Sequence, residues 1–184
     1  LISESQYYAQ DLKYWFSEDD LITKNETNII PENSVALIIG NTNYEEQDLS
    51  LKNPINDVRL MSDVLSQLGF NVIEKHDLSK SDMIRELRNL KQVSNEYEFV
   101  LIFYAGHAIQ DSNSNSYLIP IDYNNETSIK KVGVSIKELI TYYKTSEIPS
   151  LMIFDACRST YNSGISKPNV EDPINVKVAY STSY

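Results

Sequence analysis

The longest apolar stretches of this chain are continuous and do not alternate with polar residues. One extends over residues 99–107 and another over residues 151–157, and each is bounded by polar or turn-forming residues. Continuous runs of this kind are typical of strands that are covered on both faces, such as the central strands of a parallel sheet. Residues 35–40 and 70–73 are shorter candidates of the same type. The pattern therefore predicts a buried and largely parallel sheet.

Between these runs, apolar residues recur at helical spacing. One predicted helix begins at Asn53-Pro54 and ends at Gly69, because proline suits a first turn and glycine suits a left-handed C-terminal cap. Two more are predicted to follow Ser79 and Ser135, each of which has an acidic residue three positions later, as in a capping box. Strands that alternate with helices indicate right-handed crossovers. The predicted fold class is α/β, with helices on both faces of the sheet.

The two ends of the chain lack this alternation. Residues 1–33 are predicted to be an N-terminal extension, in which Tyr8, Leu12, Trp15 and Phe16 lie along one side of a short amphipathic helix before a polar linker. We expect the single tryptophan to pack against the domain, since aromatic rings gain most from burial. Residues 34–184 are predicted to form one domain, with a polar loop over 159–175 and a last strand over 176–180.

Composition limits the classes of function. A length of 184 residues is typical of one domain. A formal net charge of −10 and a pI near 4.6 argue against binding to nucleic acid or to an anionic membrane, which require clustered cations. No apolar segment reaches the roughly 18 residues of a membrane span. A single cysteine excludes an internal disulfide framework and fits a reducing compartment, so we expect a cytoplasmic location.

Each of the two longest predicted strands leads to a chemically reactive residue. The first ends on His107, one of two histidines, and the second on Cys157, the only cysteine. If the strands are neighbours, both residues emerge at the carboxyl edge of the sheet, where α/β proteins form their active sites. A nearby imidazole can accept the thiol proton and stabilise the thiolate. The alternative for Cys157 is a buried structural cysteine, and we expect His76 to be a surface or turn residue.

Three blocks of sequence follow one another along the chain. They are Val35-Ala36-Leu37-Ile38-Ile39-Gly40-Asn41-Thr42-Asn43-Tyr44 with Leu51-Lys52-Asn53-Pro54-Ile55-Asn56-Asp57, then Tyr104-Ala105-Gly106-His107, and then Asp155-Ala156-Cys157-Arg158. In this order they resemble the caspase-like cysteine peptidases. The separation of 50 residues between His107 and Cys157 also agrees with the spacing known for caspases. Among the branches, the chain is most similar to paracaspases and orthocaspases, because metacaspases usually carry a Ser-Cys-His run at the nucleophile.

The resemblance implies a caspase-like three-layer fold and a cysteine endopeptidase. Cys157 would be the nucleophile, and His107 would take up its proton and pass one to the leaving amine. The implied oxyanion donors are the backbone N–H groups of Cys157 and of Ala108, where the family usually has glycine. If that position needs a positive φ, alanine costs about 1 kcal/mol or more and displaces the donor. The alternative function is therefore a weak or inactive caspase-like interaction module.

The resemblance also implies specificity for a basic residue before the scissile bond. Asp155 stands where caspases have a glutamine that helps to bind aspartate, and Asp57 resembles an acid that paracaspases present from their first helix. Two carboxylates can enclose a guanidinium, which donates bidentate hydrogen bonds that lysine cannot match, so arginine should be preferred. The alternatives are a helix-terminus aspartate for Asp57 and a turn residue for Asp155.

Neither a cofactor nor a metal is expected. His76 has no ligand cluster at metal-binding spacing, and Gly40 lies in no phosphate-binding motif. The 13 tyrosines are dispersed, so we attribute them to composition. The expected partners are protein or peptide substrates, whereas a homodimer or a regulatory protein stays open. By resemblance the chain corresponds to the large-subunit half and the first small-subunit strand, so we expect a C-terminal part to be missing beyond Tyr184.

Overall fold

The computed structural model describes residues 31–51, 53–124, 126–157 and 175–181, apart from the side chains of Gln47, Cys157 and Ser181. Within these residues the chain forms seven strands and four α-helices. The strands are β1 (Ser34–Gly40), β2 (Asn71–His76), β3 (Phe99–Gln110), β4 (Ser116–Leu118), β5 (Val134–Ser135), β6 (Ser150–Cys157) and β7 (Val176–Ser181). The helices are α1 (Pro54–Gln67), α2 (Lys80–Val93), α3 (Ile129–Val132) and α4 (Ile136–Lys144).

Five parallel strands form the main sheet, in the order β2-β1-β3-β6-β7. The two longest apolar runs are β3 and β6, and they pair with each other near the middle of this sheet. Every residue of β1 and the first ten of β3 are buried, which explains why neither strand alternates in hydrophobicity. The predicted α/β class with a largely parallel sheet is confirmed.

The sheet separates two apolar layers. On one face, Val58, Met61 and Leu65 of α1 pack against β1 and β3. On the other face, α2 and α4 pack together against the same strands, with Leu87 and Leu139 among the buried residues. The helices therefore cover both faces of the sheet, as the sequence predicts.

The helix ends follow the expected local chemistry. Gly69 has φ +89°, the left-handed conformation that a glycine cap adopts without strain. Ser79 Oγ accepts the N–H of Asp82 at 3.2 Å, and Ser135 Oγ accepts the N–H of Glu138 at 3.3 Å. Each serine thus satisfies one N–H group that the helix itself leaves without a partner.

The part of the structure that follows His107 differs from the sequence prediction. We expected strand and histidine to end together, but β3 continues to Gln110 and pairs in antiparallel fashion with β4, which pairs with β5. Strand β5 and the neighbouring helix α3 were not predicted, since elements of two and four residues carry too little periodicity to be recognised. This small antiparallel sheet fixes the backbone that directly follows the histidine.

Three sequence predictions concern the ends of the chain and its relation to membranes. The amphipathic helix near Trp15 and most of the polar loop at 159–175 lie outside the described residues. The last predicted strand is present as β7. Among the helices that the structure describes, none has the length and apolar character needed to cross a membrane.

Candidate active site

The backbone register brings the two predicted catalytic residues side by side. In the parallel pair of β3 and β6, His107 and Cys157 are Cα partners, and they are the last residues that pair between the two strands. Both therefore lie at the carboxyl edge of the central sheet, which is where parallel α/β folds place their active sites. The two continuous apolar runs form these neighbouring strands.

His107 is buried, with 5% of its surface exposed, and hydrogen bonds hold it on three sides. Its N–H donates to the hydroxyl of Tyr44 at 2.9 Å. Its carbonyl oxygen accepts from the Tyr104 hydroxyl at 2.9 Å and from the N–H of Ile119 at 3.0 Å. The imidazole Nε2 lies 2.8 Å from the carbonyl oxygen of Leu49, and the ring packs against that of Tyr44 with 5.0 Å between centroids.

The contact with Leu49 assigns the tautomer of the neutral imidazole. A carbonyl oxygen only accepts hydrogen bonds, so Nε2 must carry the proton. Nδ1 then carries the lone pair and can act as a base.

Two tyrosine hydroxyls meet beneath the histidine backbone. Tyr104 is fully buried, and burial raises the pKa of its phenol well above the usual value, so the group stays a neutral donor. Its single proton is shared between the carbonyl oxygens of His107 and Ile119, each 2.9 Å away. A Cβ atom on Gly106 would lie 2.5 Å from the Tyr104 hydroxyl oxygen and 2.8 Å from that of Tyr44. The residue before the histidine therefore has to be glycine, because the two tyrosine hydroxyls leave no room for a Cβ atom.

The loop that carries Tyr44 and Leu49 is anchored by Asp77, the residue directly after β2. Its carboxylate accepts the N–H groups of Thr42 and Asn43 at 2.8 and 2.9 Å, and also the side-chain amide of Asn43. Burial by itself would raise the pKa of Asp77, but these hydrogen bonds outweigh it and lower the pKa. The ionised carboxylate of Asp77 therefore holds the turn after β1 in place through these hydrogen bonds.

Ala108 does not have the strained backbone that was considered from the sequence. The described non-glycine residues with positive φ are Asp77 and Ser114, so Ala108 has an ordinary strand conformation. It pairs with Leu118 next to the hydrogen bond from Ile119 N–H to the His107 carbonyl oxygen. Hydrogen-bonded and non-hydrogen-bonded pairs alternate in an antiparallel ladder, so the Ala108 N–H points away from β4. Alanine here carries no conformational penalty.

The two predicted specificity aspartates lie toward one face of the sheet. Side chains alternate along a strand, and Leu151 and Ile153 of β6 pack in the layer that contains α1. Asp155, partly exposed, therefore faces the same side. Asp57 lies half-buried in the first turn of α1. That turn packs on the end of β1, since a Cβ atom on Gly40 would lie 3.4 Å from the carbonyl oxygen of Pro54.

Sequence reasoning missed the groups that hold the histidine. Tyr44 and Tyr104 were attributed to composition, although both lie inside the blocks that carry the family resemblance. Their positions within those blocks, and not their number, were the available signal. Leu49 contributes only a backbone carbonyl oxygen, which no side-chain pattern can reveal.

The second histidine lies away from this site. His76 is exposed at the end of β2, and its Nε2 is 2.7 Å from a carboxylate oxygen of Glu74. This agrees with the predicted surface position. In the part of the chain that the structure describes, no three His, Cys, Asp or Glu side chains lie close enough to hold a metal ion.

A parallel α/β sheet that sets a histidine against a cysteine at its carboxyl edge is the arrangement of one class of cysteine peptidases. A family model for the caspase domain, named for peptidase family C14, matches residues 33–183. The chain therefore belongs to the caspase-domain family.

Comparison with curated proteins agrees with this assignment. The chain is 33% identical over 96 residues to the human mucosa-associated lymphoid tissue lymphoma translocation protein 1, covering 52% of this chain and 11% of that protein. The mouse homologue is 32% identical over the same length. Caspase-3 of Xenopus laevis is 26% identical over 147 residues, covering 78% of this chain and 49% of the other. The chain thus spans half or less of the length of these relatives.

Solved structures show the same fold. The Drosophila initiator caspase Dronc superposes with a TM-score of 0.63 at 12% identity, covering 87% of this chain and 57% of that one. The structure of pro-sf-caspase-1 gives a TM-score of 0.61 at 14% identity, with coverages of 88% and 68%. At these identities the likeness concerns the fold alone.

Proposed function

We propose that this domain is a cysteine endopeptidase that cleaves proteins after a basic residue, with arginine preferred over lysine. The observation that carries the proposal is the pairing of His107 with Cys157 at the carboxyl edge of the central strands. The hydrogen bond from Nε2 to Leu49 adds to it, because it leaves Nδ1 as the basic nitrogen of the neutral ring.

In the proposed reaction, Nδ1 of His107 accepts the proton of the Cys157 thiol, and the thiolate attacks the scissile carbonyl carbon. The negative charge on the carbonyl oxygen is stabilised by the backbone N–H groups of Ala108 and Cys157. His107 then donates its proton to the leaving amine, and the C–N bond breaks to give an acyl-enzyme. Water, deprotonated by His107, releases the new carboxyl group and restores the thiol.

The proposed specificity rests on Asp57 and Asp155. One aspartate stands in the first turn of α1, and the other stands on β6 two residues before the nucleophile, facing the α1 layer. A substrate arginine placed between them would make bidentate hydrogen bonds with its planar guanidinium, whereas lysine would present a single point charge. The net charge of −10 favours the approach of basic substrates by long-range attraction.

We place this activity in the cytoplasm as part of the same proposal, because the thiolate of the single cysteine requires a reducing environment. The proposal includes a homodimer or a regulatory protein as the partner, without a choice between them. The main argument for an inactive interaction module was a strained Ala108. The observed backbone removes that argument, so the enzymatic function is preferred.

A peptide-ketone probe that ends in arginine tests the nucleophile. We expect the mass of one probe to be added at Cys157, and we expect Cys157→Ala and His107→Ala each to abolish peptide cleavage while the thermal unfolding midpoint changes little. Full turnover by Cys157→Ala would refute the assignment of the nucleophile.

Fluorogenic peptides that differ only in the residue before the scissile bond test the specificity. Arginine should be cleaved fastest and lysine more slowly, and Asp57→Asn and Asp155→Asn should reduce kcat/KM for arginine by about tenfold or more each, as expected when one charged hydrogen-bond partner is lost. The matched control is Asp63→Asn, an exposed aspartate on the same helix as Asp57. A preference for aspartate, or arginine cleavage that neither variant affects, would refute this specificity.

A further inference from the structure

A groove of about 420 Å³ lies between α2 and α4. These helices cover the sheet face opposite α1, so the groove is separate from the candidate active site. Its inner surface is apolar and includes Ile84, Leu87 and Leu139. At its edge stands Tyr142, which is 42% exposed and, with Leu68, is one of two large apolar residues exposed in the described part of the chain.

The rim of the groove is mainly basic in a chain that is strongly acidic overall. Three cations line it, Lys80, Arg88 and Lys130, against one carboxylate, Glu138. Arg88 is exposed on α2, and the ammonium of Lys80 donates to a backbone carbonyl oxygen at 2.6 Å. Lys130 forms an ion pair with Asp111 at 3.5 Å. An apolar floor inside a basic rim fits a peptide in which bulky apolar residues are followed by acids.

The N-terminal segment of this chain has that composition. Tyr8, Leu12, Trp15 and Phe16 share one side of the predicted amphipathic helix, and three acids follow directly as Glu18-Asp19-Asp20. Indole and phenyl rings are the side chains that gain most from filling an apolar groove. The adjacent acids carry the charge opposite to that of the rim.

The tether is long enough to reach the groove. The described chain begins near the end of α2, where the N–H of Glu98 donates to the carbonyl oxygen of Asn33 at 2.8 Å. Arg88 precedes the end of α2 at Val93 by five residues, which is about 8 Å along the helix axis. Residues 21–30 can span up to about 33 Å when extended. Residues 8–20 can therefore lie in the groove on the same molecule.

We propose that the groove between α2 and α4 is the docking site of the chain's own segment 8–20. Trp15 and Phe16 fill the apolar floor, and the three acids lie against Arg88 and Lys80. A tether of this length holds the segment at an effective concentration in the millimolar range, so a modest intrinsic affinity is enough for docking.

Trp15 reports directly on this docking, because it is the only tryptophan of the chain. With selective excitation of tryptophan in the full chain, we expect blue-shifted emission and strong protection from acrylamide quenching. Arg88→Glu should shift the emission to longer wavelength and increase the quenching constant several-fold. The matched control is Arg59→Glu, at an arginine that is also exposed but lies on α1 at the opposite face, and it should leave both quantities unchanged.

Exchanging the charges of Glu18 and Arg88 tests whether these two residues attract each other. Glu18→Arg combined with Arg88→Glu should restore part of the protection that Arg88→Glu alone removes. Tyr142→Ser, at an exposed residue on the edge of the groove, provides a second test that does not depend on charge. Circular dichroism confirms that each variant is folded.

Three results would overturn the proposal. One is a tryptophan in the unaltered chain that acrylamide quenches as readily as free tryptophan. Another is protection that neither Arg88→Glu nor Tyr142→Ser reduces. The third is protection that disappears on dilution, since this would mean that the segment docks onto a second copy of the chain. None of these measurements depends on peptidase activity.

Discussion

Two neutral groups contact the imidazole of His107: the ring of Tyr44 packs against it, and the carbonyl oxygen of Leu49 accepts from Nε2. Two tyrosine hydroxyls hold the backbone of the same residue, at its N–H and at its carbonyl oxygen. A carboxylate partner at Nε2 would favour the charged imidazolium, whereas a carbonyl oxygen orients the ring with less effect on its charge.

Tyr44 is a positioning residue in this arrangement. Tyr44→Phe keeps the ring but leaves the buried N–H of His107 without its acceptor, so we expect a loss of stability of about 1–3 kcal/mol. A displaced imidazole should lower kcat by roughly tenfold or more with little change in KM, since substrate contacts are untouched. Peptide kinetics and the NMR shifts of the imidazole measure both effects.

The control for Tyr44→Phe is Tyr97→Phe. Tyr97 also makes a hydrogen bond through its hydroxyl, accepting from Asn71 at 2.8 Å, but far from the histidine. It should leave kcat and the imidazole shifts unchanged. If both tyrosine variants lowered kcat equally, the effect of Tyr44 would be a general loss of stability and not one of position.

Ala108→Gly tests whether alanine, in the ordinary strand conformation found here, leaves catalysis unaffected. Glycine adds conformational freedom to the unfolded chain, and it removes a methyl group from a residue that is 4% exposed. We expect the free energy of unfolding to fall by roughly 0.5–1 kcal/mol, with kcat per active site unchanged because the N–H group is kept. Urea denaturation and active-site titration measure the two quantities. A large change in kcat would show that the methyl group itself affects the reaction.

At the scale of elements, the turn between β3 and β4 depends on one carboxylate. Asp111 accepts hydrogen bonds from the N–H groups of Asn113 and Asn115 at 2.9 Å each, and from the Asn115 side chain. Burial by itself would raise the pKa of Asp111, but these bonds and the nearby Lys130 lower it from 3.8 to about 2. The turn is thereby stabilised by the ionised form.

This shift predicts a pH dependence of stability. A lowered pKa means that the contribution of Asp111 is fully present above its unfolded value of 3.8 and is lost as the pH falls toward about 2. Asp111→Asn should therefore be less stable than the unaltered chain at neutral pH, and the difference should shrink across that acid range. Urea denaturation at several pH values measures it. The control, Asp63→Asn, removes an exposed helical carboxylate and should show no such change. A constant difference between the unaltered chain and Asp111→Asn would contradict the assignment.

At the scale of the molecule, the sheet divides the described part of the core into two layers, each of which forms its own cluster of buried side chains. Ile38 of β1 lies in the layer with α1, whereas Ile140 of α4 lies in the opposite layer, and both are at most 2% exposed. Because the strands themselves separate the layers, loss of packing in one should not relax the other.

Small cavities, made by replacing one isoleucine with valine in each layer, test whether the two layers are independent in their effect on stability. Ile38→Val and Ile140→Val should each cost about 0.5–1.5 kcal/mol in free energy of unfolding, and the double variant should equal the sum within about 0.5 kcal/mol, as for sites without shared partners. The matched comparison is Ile102→Val with Ile140→Val, since both residues lie in the same layer. Urea denaturation of the single and double variants gives the coupling. Strong coupling across the sheet would show that the two layers respond as one.

Local patterns in the sequence determined the elements and their order. The continuous apolar runs predicted β3 and β6, and the serine caps predicted where α2 and α4 begin. The same runs predicted the edge of the sheet at which His107 and Cys157 lie. These features depend on neighbours within a few residues, so they can be read directly along the chain.

Tertiary structure alone decided what holds the site together. The N–H of His107 meets Tyr44 across 63 positions, and its ring meets the carbonyl oxygen of Leu49 across 58. No local periodicity encodes such pairs, because they depend on how the loop after β1 folds against the end of β3. The ordinary backbone of Ala108 was also decided there, since the antiparallel pairing with β4 sets its dihedral angles. The sequence determined which residues can react, and long-range packing decided how they are oriented.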